Sequence, residues 1–327
     1  KFEAFNLKIP NYQYNLTAEI KGSVDYINKT LAPKDKKCKA LFWSGDANPP
    51  IEALGMTYAL GLRNINGGDS DISNYNNSLT QVGPLGFFQN SYFQNFAPIQ
   101  NDYTYTNEWT APFYGFINVI DAFKLTENPT RLKPIDIYYH MYAGSKLSAL
   151  DALKKVYDWS LLQPVINVYA TDYIDKVNDF NSIAISKQGK GWVIRNSGKL
   201  REFRIPKTQG YPDLIASQNI VGFNAHGTDY YIHLGPNTQT YLQLTNATPT
   251  LPYLVDANAM VKQFDRSNHE MHLQLTGYLP LKLTLGNMNN CSTESDNKTL
   301  TPTSQQNGQL SYELAGITEH AFTIKCK

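Results

Sequence analysis

The chain has 327 residues, with 29 Lys and Arg against 28 Asp and Glu, and a formal net charge of +1. A single hydrophobic core stops growing near ~250 to 300 residues, so this length predicts two domains. The balanced, interspersed charges argue against nucleic acid as a partner, because phosphate binding needs a basic surface. No apolar run approaches the ~20 residues that span a bilayer, so we expect no membrane span.

Aromatic residues are abundant, at 13% of the chain. Flat rings suit the faces of sugars, but aromatic-rich β structure explains the same composition equally well. The cysteines Cys38, Cys291 and Cys326 are too few and too scattered for a thiolate zinc site or a disulfide framework. Cys291 and Cys326 could pair with each other.

The first half of the sequence alternates short apolar runs with helical periodicity, which predicts parallel βα units. A parallel α/β region is therefore expected over residues 1–185. In chain order the predicted elements are a helix around 20–31, a strand at 40–43, a helix from Pro50 to Leu60, a strand at 62–65, a strand at 135–139, a helix at 146–162, a strand at 165–169 and a helix from about Thr171.

From about Ile183 the pattern changes to strict alternation of apolar and polar residues, which is typical of antiparallel strands. An all-β sandwich or jelly-roll-like domain is predicted for 186–327, with a carbohydrate-binding or structural role. The predicted strands are 192–195, 200–205, 230–234, 271–275 and 279–285, and 292–308 is predicted to be a long polar loop.

Three ionisable residues directly follow predicted strands of the α/β region. They are Asp46, Asp69 and His140. Parallel sheets and barrels place their active sites at the carboxyl ends of the strands, so the three side chains are expected to converge on one pocket. A carboxylate beside a histidine suits general acid and base roles. The plainer interpretation is that the aspartates are turn residues and that the histidine belongs to a core.

The stretch 100–114 is polar, loop-like and rich in aromatic residues. Long aromatic loops tend to line substrate sites, although this one could equally be a lid with a small core of its own. We predict substrate contacts for Tyr105 and Trp109 in this stretch. We also predict them for Trp43 and Tyr139, which lie close to Asp46 and His140 in the sequence.

Six spaced segments of the sequence are similar to the deacetylase region of the PelA family, which processes the Pel exopolysaccharide of biofilms. The similarity continues through 147–180. The segments are NLKIPNY at 6–12, FWSGD at 42–46, LRNINGGD at 62–69, YTNEWTAPFYG at 105–115, RLKPIDIYYH at 131–140 and, more weakly, GYPDL at 210–214.

The resemblance implies the C-terminal part of a NodB-like distorted β/α barrel, a carbohydrate esterase that removes N-acetyl groups from amino-sugar polymers. It gives His140 the role of the general acid that protonates the leaving amine, and it matches Asp69 to a strand-end aspartate that supports the pocket. Asp46 stands where the family often has an Arg-Pro-Pro motif, from which WSGD at 43–46 departs. The implied location is periplasmic or secreted.

A divalent metal, usually zinc, is also implied by the resemblance, held by one Asp and two His. The family's Asp-rich motif and His-x-x-x-His pair are not found in this sequence. We expect them upstream of Lys1, in a missing N-terminal part of the same protein. No metal is therefore expected to be ligated by this chain alone, and the fragment alone is expected to be inactive. The expected partners are that part and an amino-sugar polysaccharide.

Two other functions fit the sequence. The first is a non-catalytic carbohydrate-binding or assembly module of an exopolysaccharide system, in which the β domain and the aromatic stretch hold polymer. The second is a retaining glycoside hydrolase, which would need Asp46 and Asp69 to bring their carboxyl groups ~5 to 5.5 Å apart.

Overall fold

The computed structural model describes residues 9–98, 100–127, 131–267, 269–316 and 319–327. The first residues of the segment at 6–12 therefore lie outside the described residues. By its packing the chain divides into two compact units, Lys1–Gln163 and Pro164–Lys327. The domain boundary predicted at 185/186 falls later in the chain than this division.

Helices dominate the regular structure of the first unit. The helix α1, Ser23–Tyr26, is flanked by π-helical turns at Ala18–Gly22 and Ile27–Leu31. The others are α2 (Ile51–Ala59), α3 (Asp102–Tyr105), α4 (Val119–Leu125) and α5 (Leu147–Leu161). The 3₁₀ turns are Leu79–Gln81, Gly115–Asn118 and Met141–Ser145.

The strands of the first unit are short. Strand β1 (Ala40–Phe42) pairs in parallel with β2 (Arg63–Ile65), and β3 (Gly86–Gln89) pairs antiparallel with β4 (Tyr92–Asn95). The predicted strands at 135–139 and, in the second unit, at 165–169 were wrong, because neither segment is assigned as a strand. In the first of them, Ile135 and Ile137 pack against an apolar cluster, so side-chain burial accounts for the alternation.

Two apolar clusters are seen among the described residues of the first unit. One joins α4, α5 and the turn at Gly115–Asn118, and includes Phe116, Val119, Phe123 and Val156. The other packs Ile20 of the N-terminal helix against Ala53 and Leu62. The structure thus confirms a mixture of helices and strands in the first half of the chain. The segment before His140 is anchored to the first of these clusters.

The second unit begins with helix α6 (Ala170–Ser182) and continues almost entirely as strands. One 3₁₀ turn, Lys207–Gln209, interrupts them. The strands are β5 (Ala184–Gln188), β6 (Gly191–Arg195), β7 (Glu202–Pro206), β8 (Tyr211–Pro212), β9 (Ile220–His226), β10 (Asp229–Leu234), β11 (Gln239–Leu242), β12 (Leu244–Thr245), β13 (Tyr253–Ala257), β14 (Met260–Arg266), β15 (Glu270–Thr276), β16 (Leu281–Gly286), β17 (Cys291–Ser295), β18 (Lys298–Thr299), β19 (Ser304–Gln306), β20 (Gln309–Leu314) and β21 (His320–Cys326).

These strands form a seven-stranded sheet in the order β19-β20-β16-β13-β9-β10-β7 and a five-stranded sheet in the order β14-β15-β21-β17-β18. Smaller sheets are β11-β6-β5 and β12-β8. The residues of β15 alternate between buried and less buried, as a strand with one face on a core requires. All five strands predicted from alternation are present. The polar loop predicted at 292–308 was wrong, because β17, β18 and β19 lie within it.

The core of this strand-rich region is apolar and continuous across the two large sheets. Met271, Leu273 and Phe322 from the five-stranded sheet pack against Leu283 and Leu285 from the seven-stranded sheet. The possible pairing of Cys291 with Cys326 is confirmed, since the two residues face each other across β17 and β21 and form a disulfide. Among the described residues, no helix is long and apolar enough to cross a membrane.

Candidate functional site

The central feature of the first unit is a contact between His140 and Asp102. The Nδ1 atom of His140 lies 2.9 Å from Oδ1 of Asp102, and the backbone N–H of His140 donates to Oδ2 at 3.1 Å. A carboxylate that holds both the ring and the backbone of one histidine fixes the orientation of the imidazole. Sequence analysis identified His140 but missed Asp102, which lies 38 residues earlier.

Asp102 is buried, and its side chain is only 3% exposed. It also accepts a hydrogen bond from the indole Nε1 of Trp109 at 3.2 Å. Burial of a carboxylate is costly unless donors compensate it, and here the ring of His140, its backbone amide and the indole all point at this group. The position of Asp102 at the start of α3, after the capping residue Asn101, fixes the carboxylate on the backbone.

Because Asp102 accepts at Nδ1, the neutral imidazole carries its proton on Nδ1 and leaves Nε2 as an acceptor. The His140 side chain is 34% exposed, so the ring is not sealed in the core. Nε2 makes no hydrogen bond to any other residue in the described part of the chain. The arrangement can therefore accept and return a proton at Nε2.

Aromatic rings surround the imidazole. Trp109 contacts it edge to face with ring centroids 4.7 Å apart, and Tyr142 stacks on it with the planes 5° from parallel. Tyr138 packs edge to face at 5.8 Å. Trp109 and Tyr142 also contact each other. The predicted substrate residue Trp109 is thus at the site, whereas Tyr138 and Tyr142 were not singled out from the sequence.

The backbone that presents Trp109 is unusual. Asn107, Glu108 and Trp109 all have positive φ, at 45°, 52° and 61°. Left-handed backbone is disfavoured for a residue as bulky as tryptophan, and such strain concentrates at functional sites. At the end of this loop, a Cβ on Gly115 would lie 1.9 Å from the carbonyl oxygen of Tyr105, so only glycine fits there.

Asp69 lies next to this cluster, though not against the imidazole. Its Oδ2 accepts a hydrogen bond from the Tyr103 hydroxyl at 3.0 Å, and the Tyr103 ring contacts Trp109 at 5.9 Å. Partial burial, and then the Asp69 carboxylate, raise the pKa of Tyr103. Asp69 is therefore linked to the histidine through two aromatic rings.

Asp46 and Trp43 are placed differently. Asp46 is exposed, and its carboxylate accepts a hydrogen bond from the backbone N–H of Asn48, as in an ordinary turn. The indole of Trp43 donates to Asn64 at 3.3 Å. Its backbone carbonyl accepts from Asn66, whose amide also donates to the hydroxyl of Tyr138. Among the described residues, Asn66 thus links Trp43 to the site.

The two remaining predicted substrate residues do not contact His140. Tyr105 packs with the apolar cluster of α4 and α5, and its hydroxyl donates to Gln100 at 2.9 Å. Burial raises its pKa strongly. The ring of Tyr139 points to Tyr157, with centroids 6.5 Å apart. Consecutive residues of an extended segment point to opposite sides, so Tyr138 takes the position beside His140.

A layer of buried polar side chains supports the segments around the site. Lys133 is 5% exposed and donates to the hydroxyl of Ser70 at 2.7 Å. Burial lowers the pKa of Lys133 to about 8, an effect that the charges of Asp136 and Asp69 partly offset. Burial likewise raises the pKa of Asp136 to about 6, and the Lys133 charge opposes this shift.

A cavity of about 60 Å³ lies beside Asp102. It is lined by Trp109, Phe113, Phe116 and Tyr142 among others. Its volume is below the ~300 Å³ at which ligand pockets usually start, so this cavity alone does not accommodate a sugar.

Within the described ranges, no group of three or more His, Cys, Asp and Glu side chains is arranged to hold a metal ion. The zinc that the family resemblance implies therefore does not fit the ligands present in this part of the chain. The comparisons with known proteins found no match: no protein-family model, no curated protein and no solved structure is similar to the chain.

Proposed function

We propose that His140, oriented by Asp102, is the general base and general acid of a hydrolase that removes N-acetyl groups from an amino-sugar polysaccharide. The observation that carries the proposal is the imidazole held at Nδ1 by a buried carboxylate, in a side chain that remains 34% exposed. General acid and base catalysis needs this combination of fixed orientation and open access.

The reaction needs a proton to move twice. The neutral imidazole accepts a proton from a water molecule at Nε2 while the water oxygen bonds to the acetyl carbonyl carbon. The imidazolium then returns that proton to the amide nitrogen as the carbon–nitrogen bond breaks, giving a free amine and acetic acid, which releases the second proton of the water to solvent as acetate forms. Asp102 stabilises the positive ring between these steps, because its carboxylate lies 2.9 Å from Nδ1.

Zinc, if bound, would polarise the acetyl carbonyl and the attacking water. The described residues offer no matching ligand set, so no step of the proposal depends on it. The sugar ring would lie on Trp109 and Tyr142, whose rings flank the imidazole. Aromatic faces bind the apolar side of a pyranose, which supports a carbohydrate substrate.

The test is acetate release from a partly N-acetylated amino-sugar polymer, measured in the longest native form of the protein that contains this chain. His140→Gln should lower the rate about 100-fold or more, since general acid and base catalysis contributes ~10² to 10⁴. His272→Gln is the matched control, because His272 is an exposed strand residue of the second unit.

Acetate release that is equal in the wild type and in His140→Gln would contradict the proposal. So would the absence of acetate with any N-acetylated polymer. If the polymer binds both proteins equally and no acetate appears, the non-catalytic binding module replaces the deacetylase as the better account.

A further inference from the structure

The strand-rich region contains a cleft that lies in the second unit and involves no residue of the His140 site. Its volume is about 470 Å³, within the ~300 to 1,000 Å³ of typical ligand pockets. It is formed by the turn at 287–290, β17, the segment 299–305 and β20. We propose that this cleft is a second carbohydrate site, which binds a neutral pyranose oligosaccharide.

The floor of the cleft is apolar. Met288, Leu310 and Tyr312 line it, and all are largely buried, at 4%, 8% and 3% exposure. The Tyr312 hydroxyl donates to Thr293 at 2.9 Å, so this polar end of the ring is already satisfied. A sugar ring has apolar C–H faces, and the partly exposed Leu300 and Pro302, which also line the cleft, can cover one of them.

The rim of the cleft carries unused amide groups. The side chains of Asn289, Asn290 and Gln305 line it, and they are exposed. None of these amides forms a hydrogen bond with another described residue. Each amide offers two donor hydrogens and an acceptor oxygen, which suits neighbouring hydroxyl groups on a sugar ring.

The absence of charged residues from the cleft lining indicates which class of ligand it binds. None of the residues that line the cleft is Asp, Glu, Lys, Arg or His. A phosphate, a carboxylate or a protonated amine would leave its charge uncompensated there, which is unfavourable next to an apolar floor. A ligand with hydroxyl and N-acetyl groups has no such charge, so the cleft favours a neutral or fully N-acetylated oligosaccharide over a deacetylated one.

The rim is held in place before any ligand binds. Cys291 lines the cleft and is covalently joined to Cys326 on β21. Asn287 and Asn290, at φ of 57° and 62°, form the left-handed turn that precedes β17. Asparagine tolerates this conformation better than most residues. A fixed rim lowers the entropic cost of ordering side chains on binding.

The experiment is calorimetric titration of the full chain with the tetramer of β-1,4-linked N-acetylglucosamine and with its fully deacetylated form. All measurements use His140→Gln protein, so that turnover does not contribute, and only the change caused by the cleft variants is compared. Replacing Asn289 and Gln305 together by alanine should weaken binding of the acetylated tetramer at least tenfold, because two hydrogen bonds to the ligand are lost. Gln306→Ala is the matched control, since Gln306 is the exposed neighbour on β19 and does not line the cleft.

Loss of affinity in the double variant with an unchanged Gln306→Ala protein would support the site. The proposal is overturned if the double variant binds as tightly as its parent, if the deacetylated tetramer binds better, or if neither tetramer binds. Because the binding experiment uses His140→Gln protein throughout, a lack of binding at the cleft does not count against the proposed deacetylase site. A lack of acetate release likewise does not count against binding at the cleft.

Discussion

The two units of this chain are stabilised by different kinds of interaction. In the second unit, long strands alternate buried apolar and exposed polar residues, and one cluster joins the two large sheets. In the first unit, regular elements are short, and buried amides such as Asn64, Asn66 and Gln94 bond to backbone groups. A layer of this kind holds irregular backbone in place, and irregular backbone positions His140 and Trp109.

The buried polar atoms without hydrogen-bond partners in the described parts of the chain differ in number between the two units. Several buried polar atoms of the first unit have no hydrogen-bond partner among the described residues, including Oδ1 of Asn66, Oε1 of Gln94 and Nε2 of Gln100. Unsatisfied buried groups cost stability, so they are rare unless they have a function or bind water. Most of these atoms lie in the first unit, and two lie in the second, Nε of Arg266 and Oγ of Ser295.

The largest expected effect on stability is in the apolar core of the second unit. Phe322 is 1% exposed, and Phe322→Ala should lower the free energy of unfolding by about 3 to 5 kcal/mol, because it leaves a large cavity. Urea unfolding measures this value. Lys325→Ala on the same strand is the control and should change it by less than about 1 kcal/mol, since its ion pair with Glu294 is exposed. Equal effects would mean that the core is not where we place it.

The second largest effect on the free energy of unfolding is expected at the buried Lys133 of the first unit, and it should depend on pH. Burial lowers the pKa of Lys133 to about 8 from 10.5, so protonation disfavours the folded state. The penalty is complete below pH 8 and disappears as the pH rises to about 10.5. Relative to Lys133→Met, the wild type should therefore gain about 3 kcal/mol between these limits. Urea unfolding of both proteins at pH 7 and pH 10 measures the gain, and parallel pH curves would contradict it.

In the second unit, the carboxylate of Asp179 makes a polar contact that we expect to contribute to stability. Its carboxylate accepts backbone hydrogen bonds from Ser197, Lys199 and Leu200 at 2.6 to 2.7 Å. Burial opposes the charge, but these donors outweigh it and lower the pKa of Asp179. Asp179→Ala should cost about 2 kcal/mol, because the donors lose their acceptor.

The pH dependence of this contact has a definite sign. A depressed pKa means that the stability is present above the unfolded pKa and is lost as the pH falls through the folded one. Thermal unfolding at pH 7 and below pH 4 should therefore show the wild-type advantage over Asp179→Ala shrinking in acid. The control is Asn181→Ala, an exposed position on the same helix. An advantage that grows in acid would refute the assignment.

The smallest effect is expected at Asp69. Tyr103→Phe removes the hydroxyl that bonds to Asp69, and the expected cost is about 0.5 to 1.5 kcal/mol, reduced by solvent exposure. A double-mutant cycle with Asp69→Asn isolates the pair, since the two single changes should not add. Strict additivity would show that Asp69 is not linked to the aromatic cluster.

The sequence was most informative where one face of a strand is buried. Alternation in 271–275 and 279–285 predicted strands of the second unit, because burial on one face enforces period two. The same logic failed at 135–139. Short apolar runs do not reveal whether a partner strand exists, and here Ile135 and Ile137 pack on helices instead.

The candidate site was only partly predictable for a related reason. His140 and Trp109 stood out by residue type and context, but nothing in the sequence singled out Asp102. Its role depends on a contact across 38 residues that no local pattern encodes. Likewise, positions 138 and 139 are both tyrosine. Only the side of the backbone to which each ring points decides that Tyr138, and not Tyr139, contacts the imidazole.

The most direct test of the account is the protonation pattern of the His140 ring, measured by long-range ¹H–¹⁵N NMR at a pH where the ring is neutral. We predict a proton on Nδ1, hydrogen-bonded to Asp102, with Nε2 unprotonated, and we predict that Asp102→Ala abolishes this preference. A ring protonated on Nε2, or one unaffected by Asp102→Ala, would contradict the orientation of His140 by Asp102 on which the proposed function depends.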